Sequence, residues 1–163
     1  MSVTTDILAT YRRPGDTVAK LIATGPREDR SLAILMAASV LNFVARTPVL
    51  ARAAGLDPAV PLQARLGIAL FVALFIVPLL AYAAALVLHL GARVARRQGQ
   101  GWHARIAFFW ALLAIAPAML LQGLIEAAQG HDTVSRLSGL LVFGLFVWFV
   151  GAGLRTGYPK EAT

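Results

Sequence analysis

The sequence predicts an all-α fold: a polytopic transmembrane helical bundle of about four spans, preceded by an N-terminal interfacial amphipathic helix. Two observations carry this prediction. Four long runs contain no charged residue, at 31–45, 66–92, 106–125 and 137–154, and arginines lie at most of their ends. In addition, 58% of the 163 residues are hydrophobic and only 14% are charged, whereas soluble domains average about 25% charged residues.

The N-terminal segment, residues 1–28, predicts one or two short amphipathic helices that lie in the membrane interface. Apolar residues recur at helical spacing on both sides of the Pro14-Gly15 break: Ile7, Leu8 and Tyr11 before it, and Val18, Leu21 and Ile22 after it. A frayed N-terminus with chance periodicity is the alternative. The segment is too long for an ordinary signal peptide, although the small residues at 50–53 resemble a cleavage site.

Four spans are predicted at 29–50, 64–92, 104–128 and 135–155, within a transmembrane domain at 29–155 that a tail at 156–163 follows. A helix needs about 20 apolar residues to cross the bilayer core. The first run reaches this length if Arg46 snorkels or faces protein. An alternative splits the second run into two re-entrant pieces around Pro78, which would require protein cover for the exposed backbone.

The positions of the basic residues predict an orientation. Eleven of the fifteen Lys and Arg residues lie within residues 1–30, 93–105 and 155–163, and the other four lie within 46–65 or at 136, around the two opposite loops. Because cytoplasmic loops carry the excess of positive charge, both termini are expected in the cytoplasm. The preference for arginine and alanine is typical of a GC-rich bacterial genome, so we expect a bacterial inner membrane.

The net charge of +7 has two interpretations. Nucleic-acid binding is disfavoured because no basic stretch is interleaved with aromatic residues. Contact with anionic lipid is favoured, and seven residues are its candidates: Arg12, Arg13, Lys20, Arg93, Arg96, Arg97 and Arg105. The alternative is that these residues only set topology during insertion.

Two prolines and one polar pair are the candidates for a transport path. Pro78 and Pro117 lie near the centres of the second and third spans, where proline removes a backbone hydrogen bond and kinks the helix. A packing kink is the favoured interpretation, and substrate gating is the alternative. Gln122 and Glu126 share a helical face near the end of the third span, where an interfacial carboxylate is favoured over a proton or cation path.

Small and polar residues predict helix–helix contacts. In the fourth span the candidates are Ser135, Gly139, Gly144 and Gly151. Asn42 and Arg46 form an i, i+4 pair that we expect to bond another helix rather than to catalyse a reaction. His89 is expected to be an interfacial residue and not a haem ligand.

Motifs for known chemistries do not occur in the sequence. There is no cysteine, which excludes disulfides and thiolate metal sites, and no phosphate-binding, zinc-protease, hydrolase or dinucleotide motif. We therefore expect a protein that is not an enzyme and that has no cofactor and no metal.

The chain resembles bacterial members of the YIP1 family of small polytopic membrane proteins. The resemblance rests on the lead from Tyr11-Arg12-Arg13-Pro14 to Leu21-Ile22 and on a third span in which Trp110 precedes Pro117. It covers most of residues 10–155, but the acidic-Leu-Tyr-Gly-Pro motif of the eukaryotic trafficking members is absent. The resemblance implies a membrane bundle without catalytic residues.

Two function hypotheses follow. The first is a non-catalytic scaffold or accessory subunit that acts through helix packing and lipid contacts, with anionic lipids and other membrane subunits or a second copy as partners. The second is a small transporter or channel that uses the helices of Pro78 and Pro117 together with Glu126.

Overall fold

The computed structural model describes residues 3–130 and 132–159, and most of them are helical. No strand occurs in that part of the chain, which confirms the predicted all-α class. In chain order, the helices are α1 (Val3–Arg12), α2 (Pro14–Ala23), α3 (Glu28–Leu56), α4 (Leu62–Phe71), α5 (Val77–Val94), α6 (Gly101–Ala114), α7 (Ala116–Gln129) and α8 (Thr133–Gly157). A π-helical turn, Val72–Ile76, joins α4 to α5.

Three helices are long and apolar enough to cross a membrane: α3, the continuous helix Leu62–Val94, and α8. Helices α6 and α7 satisfy the same criteria as a pair, and their axes are bent by 42°. The chain is therefore a polytopic membrane protein with three such helices, or four if the bent pair is one span.

Helix α6 lies at the centre of the bundle and packs against α3, α5 and α8. Its alanines at 104, 107, 111 and 114 are each at most 1% exposed. Small side chains at this spacing form a narrow ridge that lets neighbouring backbones approach closely. Phe109 and Trp110 lie between these alanines and are also buried, at 0% and 3% exposed.

The N-terminal helices pack on protein. Val18 and Leu21 of α2 are 2% and 7% exposed, and they belong to the same core as α6 and α8. Helix α1 contacts α2 and α6, while Leu8 on its outer side is 67% exposed. The amphipathic stripe of α2 is therefore covered by other helices.

Two hydrogen bonds attach α1 to α6. The buried indole Nε1 of Trp110 donates to Thr10 Oγ1 at 3.0 Å, and the Tyr11 hydroxyl donates to the Ala114 carbonyl at 3.0 Å. Trp110 lies nine residues into α6, which is about 13 Å along the axis. Helix α1 therefore packs against the C-terminal half of α6, and not beside its first residues.

Helix α3 continues to Leu56 with Pro48 inside it, although the sequence predicted its span to end at residue 50. Proline 48 lacks the N–H that would bond the Val44 carbonyl. The Thr47 hydroxyl donates to that carbonyl instead, at 2.8 Å. A side chain one residue earlier thus replaces the lost backbone bond, and the helix proceeds through the proline.

Side chains tie α3 to both ends of the α6–α7 pair. At one end, Arg105 forms an ion pair with Glu28. At the other end, Arg52 donates to the carbonyls of Ala127 and Ala128 at 2.7 and 2.9 Å, which caps the C-terminus of α7. Helix α3 therefore runs parallel to α6–α7. We call the end with the 93–105 loop the arginine-rich end and the end with Arg52 the opposite end.

Candidate functional site

A cavity of about 420 Å³ lies between α3, α7 and α8, near the opposite end of the bundle. We call it the polar cleft, because four of its lining residues are the polar side chains of Asn42, Arg46, Gln122 and Glu126. In the sequence these residues form two separate i, i+4 pairs. The structure brings the two pairs together on facing helices.

The remaining wall of the polar cleft is mostly apolar. It includes six large side chains: Leu112, Ile115, Met119, Val142, Phe143 and Phe146. Leu112 and Glu126 are fourteen residues apart on the α6–α7 pair, which is about 20 Å along the helices. Large apolar side chains therefore line the cleft toward the middle of the bundle, whereas its outer part is lined by Arg46 and Glu126 together with Val49 and Leu50.

The packing of the helices creates this space. Helices α3 and α8 both pack on α6–α7 but hardly touch one another. Gly123 holds α7 close to α3, because a Cβ at this position would collide with the Ala45 carbonyl oxygen. On the other side, a Cβ on Gly139 would lie 3.4 Å from Gln122 Nε2. Two glycines thus allow close approach, and a gap between α3 and α8 remains.

Two buried amide oxygens beside the cleft lack hydrogen bonds. Gln122 Nε2 donates to the Ser135 carbonyl at 2.9 Å, whereas Gln122 Oε1 and Asn42 Oδ1 accept no hydrogen bond. In the described part of the chain, only one other buried side-chain atom, Ser39 Oγ, is in this state. A buried polar atom without a partner costs about 1–3 kcal/mol, so these two oxygens lower the stability of this part of the bundle.

The two candidate kinks differ in the structure. At Pro117, α6 ends and α7 begins with the 42° bend. At Pro78 the helix is continuous, and the preceding turn is π-helical, with the Val77 N–H bonded to the Val72 carbonyl. A widened turn is a common adaptation to a disrupted helix ladder. The second run is thus one helix and is not split around Pro78.

The four packing candidates of α8 lie in two environments. Ser135 is buried and accepts the Gln122 bond, and Gly139 lies beside the same side chain. A Cβ on Gly144 or Gly151 would meet no atom within 4 Å. These two glycines face away from the rest of the described chain.

Two other glycines of α8, which were not among the predicted packing residues, make close helix contacts. A Cβ on Gly153 would lie 3.0 Å from Ala107 Cβ and 3.3 Å from Val18 Cγ2. A Cβ on Gly157 would lie 3.0 Å from His103 Cβ. Gly153 and Gly157 are four residues apart, so their spacing is the same small-residue signal that the sequence shows elsewhere.

The seven candidate lipid-binding residues differ in the partners and the exposure of their side chains. Arg105 is paired with Glu28, and Arg97 donates to the Tyr158 carbonyl at 3.1 Å. Arg13 and Asp16 form an exposed ion pair at 3.8 Å. The remaining four are exposed: Arg12, Lys20, Arg93 and Arg96.

A buried tyrosine closes the arginine-rich end. Tyr158 is 0% exposed, and its hydroxyl lies 2.8 Å from the Gln100 carbonyl and 2.7 Å from His89 Nδ1. Because the carbonyl can only accept, the hydroxyl donates to it, and His89 Nδ1 must carry the proton of the second bond. Burial raises the pKa of the Tyr158 hydroxyl, which keeps this donor protonated. His89 is thus a bonded structural residue.

The described residues hold no group of metal ligands, and comparisons with known proteins found no match. Within residues 3–130 and 132–159, no group of three or more His, Asp or Glu side chains is placed to share a metal ion. No protein-family model, no curated protein and no solved structure matches the chain.

Proposed function

We propose that this chain is a non-catalytic membrane protein that binds one amphipathic molecule of the bilayer in the polar cleft. The observation that carries the proposal is the juxtaposition of four polar side chains with an apolar wall in a cavity of about 420 Å³. Ligand sites in proteins are typically about 300–1,000 Å³, mostly apolar, with a few polar groups that fix orientation.

A lipid-like molecule fits the position of the cleft. Helices α3 and α8 do not close over it, so a ligand enters from the side, between the helices. The polar groups lie toward the helix ends, where headgroups reside, and the apolar wall extends toward the bilayer centre. An amphipathic molecule with one polar end and one apolar chain matches this gradient.

A scaffold or accessory role is supported by the outer helices. In the most apolar 18-residue stretch of Leu62–Val94, and in that of α8, only 17% of the residues are buried within the chain. Exposed aromatic residues lie on both, and Gly144 and Gly151 leave room for a close approach. We propose that one of these faces contacts another membrane subunit or a second copy.

The proposed setting is a bacterial inner membrane, crossed four times, with the arginine-rich end in the cytoplasm. The charge asymmetry of the sequence supports this orientation. The exposed side chains of Arg12, Lys20, Arg93 and Arg96 support contacts with anionic lipid at that end. Membership of the YIP1 family remains part of the proposal and rests on the order of sequence features.

A transporter is the second candidate function, and the bend at Pro117 favours it. The bent α6–α7 pair forms one wall of the polar cleft, because both helices contribute lining residues. Bent or broken helices beside a binding site are typical of secondary transporters. In this case the polar cleft would be a binding site along the transport path, and Glu126 would line that path.

Filling the cleft tests the main proposal. Val142→Trp places an indole in the cavity, so we expect the purified protein to retain several-fold less tightly bound lipid in native mass spectrometry. Leu141→Trp is the matched control, because Leu141 is the next residue and is 76% exposed. Equal retention in both variants and the wild type would overturn the proposal.

In liposomes, flux that Glu126→Gln abolishes without loss of folding would favour the transporter.

A further inference from the structure

Helices α3, α7 and α8 reach the ends of their charge-free runs at one level of the bundle. The Ala45 carbonyl of α3 lies against Gly123 of α7, and Gln122 donates to the Ser135 carbonyl of α8. The charge-free runs of all three helices end within about one turn of these contacts. In a membrane helix, the first charged residues beyond an apolar run lie near the headgroups. We therefore expect lipid phosphates at this level.

Two arginines lie at this level, and one of them lines the polar cleft. Arg46 follows Ala45 in α3, and Arg136 follows Ser135 in α8, and both arginines are exposed. Arg46 belongs to the wall of the cleft, whereas Arg136 does not. The side chain of Arg46 makes no hydrogen bond or ion pair with any residue that the structure describes. A ligand in the cleft can therefore reach a guanidinium that has no partner in the described chain.

A charged side chain beside an apolar wall requires a partner of opposite charge. In membrane helices such side chains pair with other charged groups or with backbone carbonyls. Glu126 lines the same cleft, but it makes no ion pair with Arg46 and has an interaction of its own. Among the described residues, no other acidic side chain lines the cleft. The anion that compensates Arg46 must therefore come from outside the described chain.

The guanidinium of Arg46 and the apolar wall together determine the class of that ligand. A planar guanidinium pairs with two oxygens of a phosphate or carboxylate through parallel N–H···O bonds. At the level of the headgroups, the phosphate is the anionic group that all phospholipids share. Toward the middle of the bundle, Met119, Val142 and Phe146 offer an apolar surface for an acyl chain. A phospholipid carries both groups in one molecule.

The cleft offers little to the part of the headgroup beyond the phosphate. The amide oxygens of Asn42 and Gln122 are buried beside the cleft, so a ligand does not contact them. Because Glu126 already has an interaction, Arg46 is the charged group that remains for a ligand.

We propose, on the basis of the function proposed above, that Arg46 binds the phosphate of a phospholipid whose acyl chain lies in the polar cleft. The site recognises this phosphate whichever headgroup it carries.

The experiment reconstitutes the full chain in nanodiscs of phosphatidylethanolamine, phosphatidylcholine and phosphatidylglycerol in equal amounts, with a smaller known amount of diacylglycerol. All four lipids have identical acyl chains, so diacylglycerol differs in lacking the phosphate and its headgroup. Lipids that survive extraction into detergent are identified by native mass spectrometry, and retention is expressed relative to the content of the nanodisc. We expect each phospholipid to be retained about ten-fold over diacylglycerol, the factor that one hydrogen bond to a charged group supplies. The three phospholipids should agree within about two-fold.

A matched pair of variants assigns this preference to one side chain. Arg46→Gln should lower the retention of all three phospholipids to that of diacylglycerol, because the anion loses its charged donor. Arg136→Gln removes an exposed arginine at the same level but outside the cleft, and it should change nothing. An unchanged elution profile would show that both variants fold, and the comparison of lipids on the wild type tests the proposal without them. Inorganic phosphate at millimolar concentration should not displace the lipid.

Several results would overturn the proposal, and they are distinguishable from failure of the proposed function. Equal retention of phospholipid and diacylglycerol, or unchanged retention in Arg46→Gln, contradicts the role of Arg46. A ten-fold preference for one phospholipid contradicts recognition of the phosphate alone. If Val142→Trp still lowers total retention in these cases, binding in the cleft stands without the phosphate assignment. If Val142→Trp has no effect on any lipid, both proposals are wrong. Displacement by inorganic phosphate would show that the site binds a free anion and not a lipid.

Discussion

At the scale of single residues, the packing of the bundle depends on which glycines lie where two helix backbones come into contact. The sequence singled out Gly144 and Gly151, which meet nothing within the described chain, whereas Gly123 lies against the Ala45 carbonyl. Spacing identifies residues on one helical face, but it does not determine which face turns toward which neighbour. For the same reason the i, i+4 pairs of the polar cleft were visible in the sequence, and their meeting across two helices was not.

Substitution of Gly123 by alanine tests the α3–α7 contact. The new methyl group would collide with the Ala45 carbonyl, so we expect destabilisation by about 1–3 kcal/mol, the usual cost of overpacking. Gly144→Ala is the matched control: its Cβ meets open space, and alanine favours a helix over glycine by about 1 kcal/mol. Thermal unfolding in detergent measures both. An unchanged midpoint for Gly123→Ala would contradict the close approach of α3 and α7.

At the scale of helices, the sequence predicts which segments are helical better than it predicts what covers them. The charge-free runs made the long helices evident, and the proline at 117 marked the bend between α6 and α7. The stripe of α2 was attributed to lipid, but Val18 and Leu21 are buried among α6 and α8. An apolar stripe has the same period whether it faces lipid or protein. Only tertiary packing distinguishes the two environments.

The attachment of α1 to α6 can be tested at Thr10. Thr10→Val keeps the shape of the side chain but removes the acceptor for the Trp110 indole N–H, which is buried. Leaving that N–H without a partner should cost about 1–3 kcal/mol. We expect faster amide hydrogen exchange throughout α1, with α8 unchanged. Thr10→Ser keeps the hydroxyl and serves as the control. Equal exchange in the two variants would show that this bond does not hold α1.

At the scale of the whole molecule, topology depends on the bent pair. Length and composition assign three helices as membrane-crossing, or four if α6 and α7 form a single span. The two arrangements place the segment after residue 129 on different sides of the membrane. If α6–α7 crosses the bilayer, residues 99 and 131 lie on opposite sides, and α8 returns the chain to the first side. If the pair is re-entrant, residues 99 and 131 share a side, and the C-terminus lies opposite to them.

The structural contacts favour the crossing arrangement. Helix α3 contacts the pair from its start, through the Glu28–Arg105 ion pair, to its end, through Arg52 and the Ala127 carbonyl. A helix long enough to cross a membrane thus runs beside both halves of the pair. A bend of 42° shortens the pair's projection on the bilayer normal without reversing its direction. The α6–α7 pair and α3 therefore connect the same two ends of the bundle.

Reporter fusions at residue 99, near residue 131 and at the C-terminus test this arrangement. The excess of arginine at residues 93–105 predicts a cytoplasmic signal at residue 99. With four spans, the fusion near residue 131 should report the outside, and the C-terminal fusion the cytoplasm. Cytoplasmic signals at both 99 and 131, with an outside C-terminus, would establish a re-entrant α6–α7 pair.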